Sequence, residues 1–129
     1  MAGELILVVE DHDKNRKLVR DLLTAKGYRM LEVETGEDAV RVAREQRPAL
    51  VLMDIQLPGI NGIEALRQLR ADPTTAAIPV VAVTASAMTH DRQKILAAGF
   101  DGYQAKPISV RPFLELVREV LDRPPRSPA

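Results

Sequence analysis

The chain has 129 residues, which suits one domain, and its 18 basic side chains balance 18 acidic ones. It has no Cys and no Trp, which excludes disulfides and thiolate sites, and the lack of both net positive charge and aromatic platforms predicts no nucleic-acid partner. No apolar run reaches the roughly 18 residues of a membrane span, and no basic stretch precedes the first apolar run, so we predict a cytoplasmic protein without membrane insertion.

The N-terminal part predicts a strand, a helix and a second strand. The run Leu5–Val9 (LILVV) is continuous and branched, as expected of a strand covered on both faces. Apolar residues then recur at helical spacing over residues 13–26, and Gly27 is placed to end that helix. Residues 28–33 are apolar but carry more charge, which predicts a strand at the edge of the sheet.

The middle of the chain predicts a helix, a buried strand and another helix. Thr35, with Asp38 three residues later, is typical of a helix N-terminus, and this helix ends before Pro48. Leu50–Met53 is wholly apolar, which indicates a strand buried on both faces. After a loop rich in Pro and Gly, a third helix is predicted from residue 62 or 63 to residue 70.

The C-terminal part predicts two further strands, each followed by a helix. The fourth strand covers residues 80–83 and closes on Thr84, and residues 87–98 form the next helix. Gly102–Ala105 is a short fifth strand, and residues 109–121 form the last helix, with apolar residues at helical spacing.

Strands and helices alternate throughout, which predicts a parallel sheet with helices on both faces, a doubly wound α/β fold. Residues 1–122 are expected to form this single domain. Residues 123–129 (RPPRSPA) hold three of the nine prolines and no apolar periodicity, so a disordered tail is predicted. In such sheets ligands bind at the carboxyl ends of the strands, where the strand order reverses.

Polar side chains follow four of the five predicted strands. They are Glu10 and Asp11 after the first strand, Asp54 after the third, Thr84 after the fourth and Lys106 after the fifth. Taken singly, each has an ordinary explanation: acidic residues favour a helix N-terminus, Asp suits a turn, Thr suits a strand and Lys suits an exposed loop. The predicted fold brings them to one edge of the sheet, which indicates a functional site.

The chemistry of this set points to phosphoryl transfer. Three clustered carboxylates repel one another, and the single ammonium of Lys106 does not balance them. A hard divalent cation with oxygen ligands does, and Mg²⁺ suits a site with few carboxylates and an incoming phosphate. A carboxylate beside such an ion can form an acyl phosphate, with the Thr84 hydroxyl and the Lys106 ammonium binding the transferred oxygens.

Four segments, "ILVVEDHDKNRKLV", "LVLMDIQLPGING", "VVAVTASA" and "GYQAKPIS", occur in this order. Together they resemble the response-regulator receiver domain of two-component systems and phosphorelays, and the resemblance covers residues 4–121. It is greatest to single-domain, DivK-like regulators, which implies that no output domain is present. The fold implied is the flavodoxin-like receiver fold, a five-stranded parallel sheet in the order 2-1-3-4-5 with five helices.

The resemblance also implies roles for individual residues. Asp54 is expected to be the phosphoacceptor and, with Asp11, a direct ligand of Mg²⁺. Glu10 is expected to act on the ion through water, and the backbone carbonyl of Gln56 to be a further ligand.

The phosphoryl group is expected to be bound by Thr84 and Lys106, with Tyr103 as the aromatic residue whose rotamer follows Thr84. The bond between Lys106 and Pro107 is expected to be cis. The implied donor is a histidine kinase or a histidine phosphotransfer protein. The implied readout is a downstream protein target that binds the face formed by helix 4, strand 5 and helix 5, so the chain is a phosphoacceptor signalling protein rather than an enzyme.

The sequence leaves two alternative functions open. A magnesium-dependent aspartyl-phosphate phosphatase or mutase also uses a strand-end Asp, but such enzymes usually have a second Asp two residues later, where this chain has Gln56. The other alternative is a receiver that serves only for docking, or one that belongs to a longer hybrid kinase. The complete set of site residues argues against a purely docking role.

Overall fold

The computed structural model of the protein describes residues 3–85 and 89–123, and for residues 89–92 it describes the backbone alone. The strands are β1 (Leu5–Val9), β2 (Arg29–Val33), β3 (Leu50–Met53), β4 (Val80–Thr84) and β5 (Gly102–Ala105). The helices are α1 (Asp13–Ala25), α2 (Gly36–Gln46), α3 (Gly62–Ala71), α4 (Thr89–Ala97) and α5 (Val110–Asp122). The predicted tail beyond residue 123 and the predicted helix start at 87–88 lie outside the described residues.

The five strands form one sheet in the order β2-β1-β3-β4-β5, and all four neighbouring pairs are parallel. The predicted doubly wound fold and its strand order are confirmed. β2 lies at one edge, where it pairs with β1 alone within the described residues, as its more polar sequence predicts. The strand order reverses between β1 and β3, so the carboxyl ends of these two strands define the switch point.

The core lies on both faces of the sheet, and β3 contributes to each. Leu50 and Leu52 pack in one cluster with apolar side chains of α1 and α5. Val51 and Met53 pack in the other cluster with those of α2, α3 and α4. Because successive side chains of a strand point to opposite faces, a strand covered by helices on both sides must be apolar at every position.

The end of α1 explains why β2 begins one residue later than predicted. Gly27, at φ 86°, reverses the chain, and its N–H donates to the carbonyl of Thr24. The N–H of Tyr28 donates back to the carbonyl of Leu23 at 3.2 Å. This pair of bonds is the glycine-terminated helix end known as the Schellman motif, and it commits the Tyr28 backbone to the helix rather than to the sheet.

The end of β4 also differs by one residue from the prediction. Thr84 belongs to β4 itself, because it lies in register with Ala105 of β5. Ile108, which precedes α5, is partly buried against the cluster of α1 and α5.

Replacing Thr35 with Ala is expected to lower the free energy of unfolding by about 1 kcal/mol. The Thr35 hydroxyl accepts a hydrogen bond from the Asp38 N–H at 3.1 Å, which satisfies a donor in the first turn of α2 that has no partner within the helix. Urea denaturation measures the change as a lower midpoint at constant slope.

The matched control is Ser109→Ala. Ser109 occupies the same position before α5, but its side chain makes no capping hydrogen bond. The control should therefore cost much less than Thr35→Ala. Equal losses for the two variants would show that the Thr35 hydrogen bond does not stabilise α2.

Candidate functional site

Two carboxylates lie at the switch point because the sheet ladder continues one residue past β1 and β3. The Glu10 N–H donates to the carbonyl of Val33 at 3.0 Å, and the Asp54 N–H donates to that of Val9 at 3.1 Å. Both residues are only 4% exposed. Their backbones are thus fixed by the sheet, and their side chains stand together in a largely water-excluded position, where unbalanced charge is costly.

Lys106, which follows β5, supplies the balancing charge. Its Nζ lies 2.6 Å from Oε1 of Glu10 and 2.8 Å from Oδ2 of Asp54, and its side chain is 12% exposed. Burial lowers the pKa of the Lys106 ammonium, but hydrogen bonds to Asp54 and Glu10 outweigh burial and hold this pKa above its ordinary value. The lysine is therefore positively charged at neutral pH. The peptide bond between Lys106 and Pro107 is cis.

The acidic cluster is larger than this ion pair. Ligand atoms of Glu10, Asp11, His12 and Asp54 lie within 4.8 Å of one another. Within the described residues, Oδ1 of Asp11 is buried and accepts no hydrogen bond, although Nδ1 of His12 lies 3.3 Å away. Three carboxylates with one ammonium among them leave excess negative charge, and a buried carboxylate oxygen without a donor fits a cation ligand.

His12 is the member of this cluster that the sequence-based prediction missed. Its Nδ1 also lies 3.3 Å from Oε2 of Glu10. A signal was present in the sequence, because His12 follows the acidic pair directly and the chain has only two His residues.

The loop after β3 positions Asp54. The Gln56 N–H donates to Oδ1 of Asp54 at 3.1 Å, which leaves Oδ2 to Lys106. The Ile60 N–H, further along this loop, donates to Oε2 of Glu37 at the start of α2. Both oxygens of Asp54 are thus held by donors, and α2 braces the loop that supplies one of them.

The other predicted site residues lie on β4 and β5. Thr84 is fully buried at the end of β4, and its carbonyl accepts a hydrogen bond from the Lys106 N–H at 2.9 Å. Tyr103 lies in β5, in register with Ala82, and is partly buried against the cluster of α2, α3 and α4. Lys106 therefore contacts both Glu10 and Asp54 directly. The backbone of Thr84 is joined to the backbone of Lys106 by one hydrogen bond.

This fold and this arrangement at the switch point define a class of signalling domain. The family model of the response regulator receiver domain matches residues 6–118, and the chain belongs to this family, the receiver component of two-component systems. The predicted resemblance is confirmed.

Among curated proteins, the chain is similar to the polar-differentiation response regulator DivK of Brucella anthropi, with 45% identity over 116 residues that cover 90% of this chain and 94% of that protein. The DivK of Brucella ovis is 44% identical over the same length and coverage.

Solved structures agree with this assignment. The receiver domain of a sensor histidine kinase from Pseudomonas aeruginosa, with magnesium coordinated in its active-site cleft, is 36% identical with a TM-score of 0.87, covering 95% of this chain and 100% of that chain. A response regulator from Chloroflexus aurantiacus is 26% identical with a TM-score of 0.90, covering 94% of this chain and 99% of that one. Among the described residues, none of the helices has the length and apolar character needed to span a bilayer.

Proposed function

We propose that this protein is a phosphorelay response regulator that accepts a phosphoryl group from a phosphohistidine onto Asp54 and requires Mg²⁺. The observation that carries the proposal is the buried Asp54 carboxylate, held by the Gln56 N–H on one oxygen and by Lys106 on the other. Such a carboxylate is an oriented nucleophile beside a cation that neutralises the incoming phosphate.

The described residues fit a magnesium ion. Asp11 and Asp54 offer carboxylate oxygens, the carbonyl of Gln56 offers a further one, and Glu10 contributes through water. The fit depends on the oxygen character of these donors and on the buried Asp11 oxygen, which accepts no hydrogen bond from the described part of the chain. When bound, Mg²⁺ supplies a Lewis acid that neutralises charge on the phosphoryl oxygens. The magnesium reported for the Pseudomonas aeruginosa receiver domain supports the same assignment.

Asp54, Lys106 and Thr84 then have separate roles in the transfer of the phosphoryl group. An oxygen of Asp54 attacks the phosphorus in line, the bond between phosphorus and the donor imidazole breaks, and its electron pair returns to the imidazole nitrogen. Lys106, charged at neutral pH, binds a phosphoryl oxygen as negative charge accumulates. The Thr84 hydroxyl donates to another oxygen of the acyl phosphate, so Thr84 links the chemistry to β4.

The readout proposed is a change of the surface formed by α4, β5 and α5. Thr84 moves toward the phosphoryl group, and Tyr103 on the neighbouring strand takes the space that this movement leaves. Because β4 and β5 are paired in register, the two changes form a two-state element that phosphorylation biases. The proposed donor is a histidine kinase or histidine phosphotransfer protein in the cytoplasm, and the proposed target is another protein.

The residue two places after Asp54 distinguishes a phosphoacceptor from an enzyme that hydrolyses phosphate esters. A phosphatase or mutase of the aspartyl-phosphate type needs an acid or base close to the nucleophile on the leaving-group side. Gln56 stands two residues after Asp54, and it contributes its backbone N–H. We therefore assign to the protein its own phosphorylation and dephosphorylation, with no turnover of a small substrate.

Incubation of the protein with phosphoramidate and Mg²⁺ is expected to give one new acyl-phosphate resonance by phosphorus NMR. Phosphoramidate carries the P–N bond of a phosphohistidine without its protein. Hydroxylamine should remove the resonance, and chelation of Mg²⁺ before addition of the donor should prevent it, because the excess charge of the carboxylates then repels the phosphate.

Two outcomes would contradict the proposal. Labelling that survives hydroxylamine would place the phosphate on a hydroxyl rather than on a carboxylate. Sustained release of phosphate from small phosphate esters, without accumulation of phosphoprotein, would favour the hydrolase alternative.

A further inference from the structure

The imidazole of His12 lies at the rim of the acidic cluster and takes no part in capping α1. His12 precedes α1 as its N-terminal cap residue, yet its side chain makes no capping hydrogen bond. The side chain is 67% exposed, and its Nδ1 lies 3.3 Å from Oε2 of Glu10 and 3.3 Å from Oδ1 of Asp11. The ring thus contacts the two carboxylates that precede it rather than the helix that follows it.

A neutral imidazole nitrogen changes which cations a site prefers. Oxygen ligands alone suit both Mg²⁺ and Mn²⁺, whereas an added imidazole favours first-row transition ions over Mg²⁺, with affinity for mixed nitrogen and oxygen sites rising along the series from Mn²⁺. Because His12, Asp11 and Asp54 all offer ligand atoms within 4.8 Å, one ion can reach a mixed set of nitrogen and oxygen donors here.

We propose that His12 is a further ligand of the cation, so that this site prefers Mn²⁺ and later transition ions over Mg²⁺ by more than its oxygen ligands alone would. The inference rests on the proposed function, because it concerns the same cation site. It adds a donor of a different chemical type, and with it a larger difference between the affinities for Mn²⁺ and Mg²⁺ than carboxylates and a carbonyl alone provide.

The test is a titration of the metal-free protein with Mn²⁺, followed by the electron paramagnetic resonance signal of the free ion, with Mg²⁺ affinity measured by competition. The variant His12→Asn is expected to weaken Mn²⁺ binding at least about tenfold, a loss that removal of an outer-shell partner alone can reach. Its Mg²⁺ affinity should fall by a clearly smaller factor.

The matched control is His90→Asn, which removes the other histidine of the chain, a residue of α4. This variant should bind Mn²⁺ as the unaltered protein does. Equal weakening of Mn²⁺ and Mg²⁺ binding in His12→Asn would overturn the proposal, since it would show a change in the pocket rather than a lost nitrogen ligand.

A second measurement needs no variant. Electron spin echo modulation of bound Mn²⁺ should show a directly coordinated histidine nitrogen, and labelling histidine with ¹⁵N should change that modulation. Absence of this nitrogen signal from the protein with bound Mn²⁺ would refute the role of His12.

The proposed function is tested separately by the acyl phosphate formed with Mg²⁺. If that acyl phosphate forms but no histidine nitrogen is detected, His12 is not a ligand and the proposed function stands. If neither cation binds and no acyl phosphate forms, the proposed function itself fails.

Discussion

Replacing Asp54 with Ala is expected to abolish hydroxylamine-sensitive phosphate incorporation. The methyl group of Ala offers no nucleophilic oxygen, and Glu10, the nearest buried alternative, has Oε1 at 2.6 Å from Lys106 and Oε2 bound to the N–H of His12. The fold should survive this change, because Lys106 keeps Glu10 as a partner and no cation is left buried alone. Phosphorus NMR after incubation with phosphoramidate measures the result.

The matched control is Asp21→Ala. Asp21 is an exposed carboxylate of α1 that pairs with Lys17 at 2.7 Å, and an exposed pair of this kind contributes little to stability. The control should incorporate phosphate as the unaltered protein does. Undiminished, hydroxylamine-sensitive labelling of Asp54→Ala would falsify the assignment of Asp54 as phosphoacceptor.

The sequence predicted the fold well because its strands are unambiguous. Leu50–Met53 is apolar at every position, and all four residues are buried, as a strand covered on both faces requires. Thr35, with the acidic residue three places later, predicted the start of α2 because capping is decided within one turn of helix. Such local features need no knowledge of distant parts of the chain.

The sequence did not predict which side chains make contacts between distant parts of the chain. Lys106 pairs with Asp54, 52 residues earlier in the chain, and with Glu10 as well. The fold predicted that these residues share an edge of the sheet, but only side-chain positions show which oxygens the lysine binds. The brace between Glu37 and the Ile60 N–H was missed for the same reason, since no motif links a helix start to a loop 23 residues away.

Tyr28 shows a different limit of sequence-based prediction, which concerns the start of β2. Its apolar ring and its position before Met30 favour a strand, and periodicity alone extends β2 to include it. The competing signal was Gly27, since a glycine at positive φ after a helix takes the next N–H for the helix end. Both signals were local, and the hydrogen bond from Tyr28 to Leu23 shows that the helix end prevailed.

Replacing Gly62 with Ala is expected to destabilise the protein by roughly 2 to 3 kcal/mol and to slow phosphorylation. Gly62 begins α3, and its N–H donates to the carbonyl of Ile55 at 2.8 Å. A Cβ at this position would clash with the carbonyl oxygen of Asp54 and lie 2.9 Å from Cα of Ile55. Both atoms belong to backbone, so no side-chain rotation relieves the contact.

Intrinsic propensity predicts the opposite sign for the same change. Ala is favoured over Gly by about 1 kcal/mol in a helix interior, which is an upper bound for this first helical position, so a destabilised variant would show that steric conflict with the loop outweighs this gain. The conflict falls on the backbone that carries Asp54, so its relief is expected to displace the phosphoacceptor relative to Lys106. Urea denaturation measures the stability, and the rate of acyl-phosphate formation reports the displacement.

Gly102→Ala is the matched control for this prediction. A Cβ at Gly102 would meet Cδ1 of Leu116 at 3.1 Å, the end of a flexible side chain that can turn aside. The control should therefore lose less stability and phosphorylate at a nearly unchanged rate. If Gly62→Ala were as stable and as reactive as the control, the close approach of α3 to Asp54 would not constrain the site. The expected difference between the two variants follows from what each added methyl group meets, since a leucine side chain can rotate and the Asp54 backbone cannot move without the nucleophile.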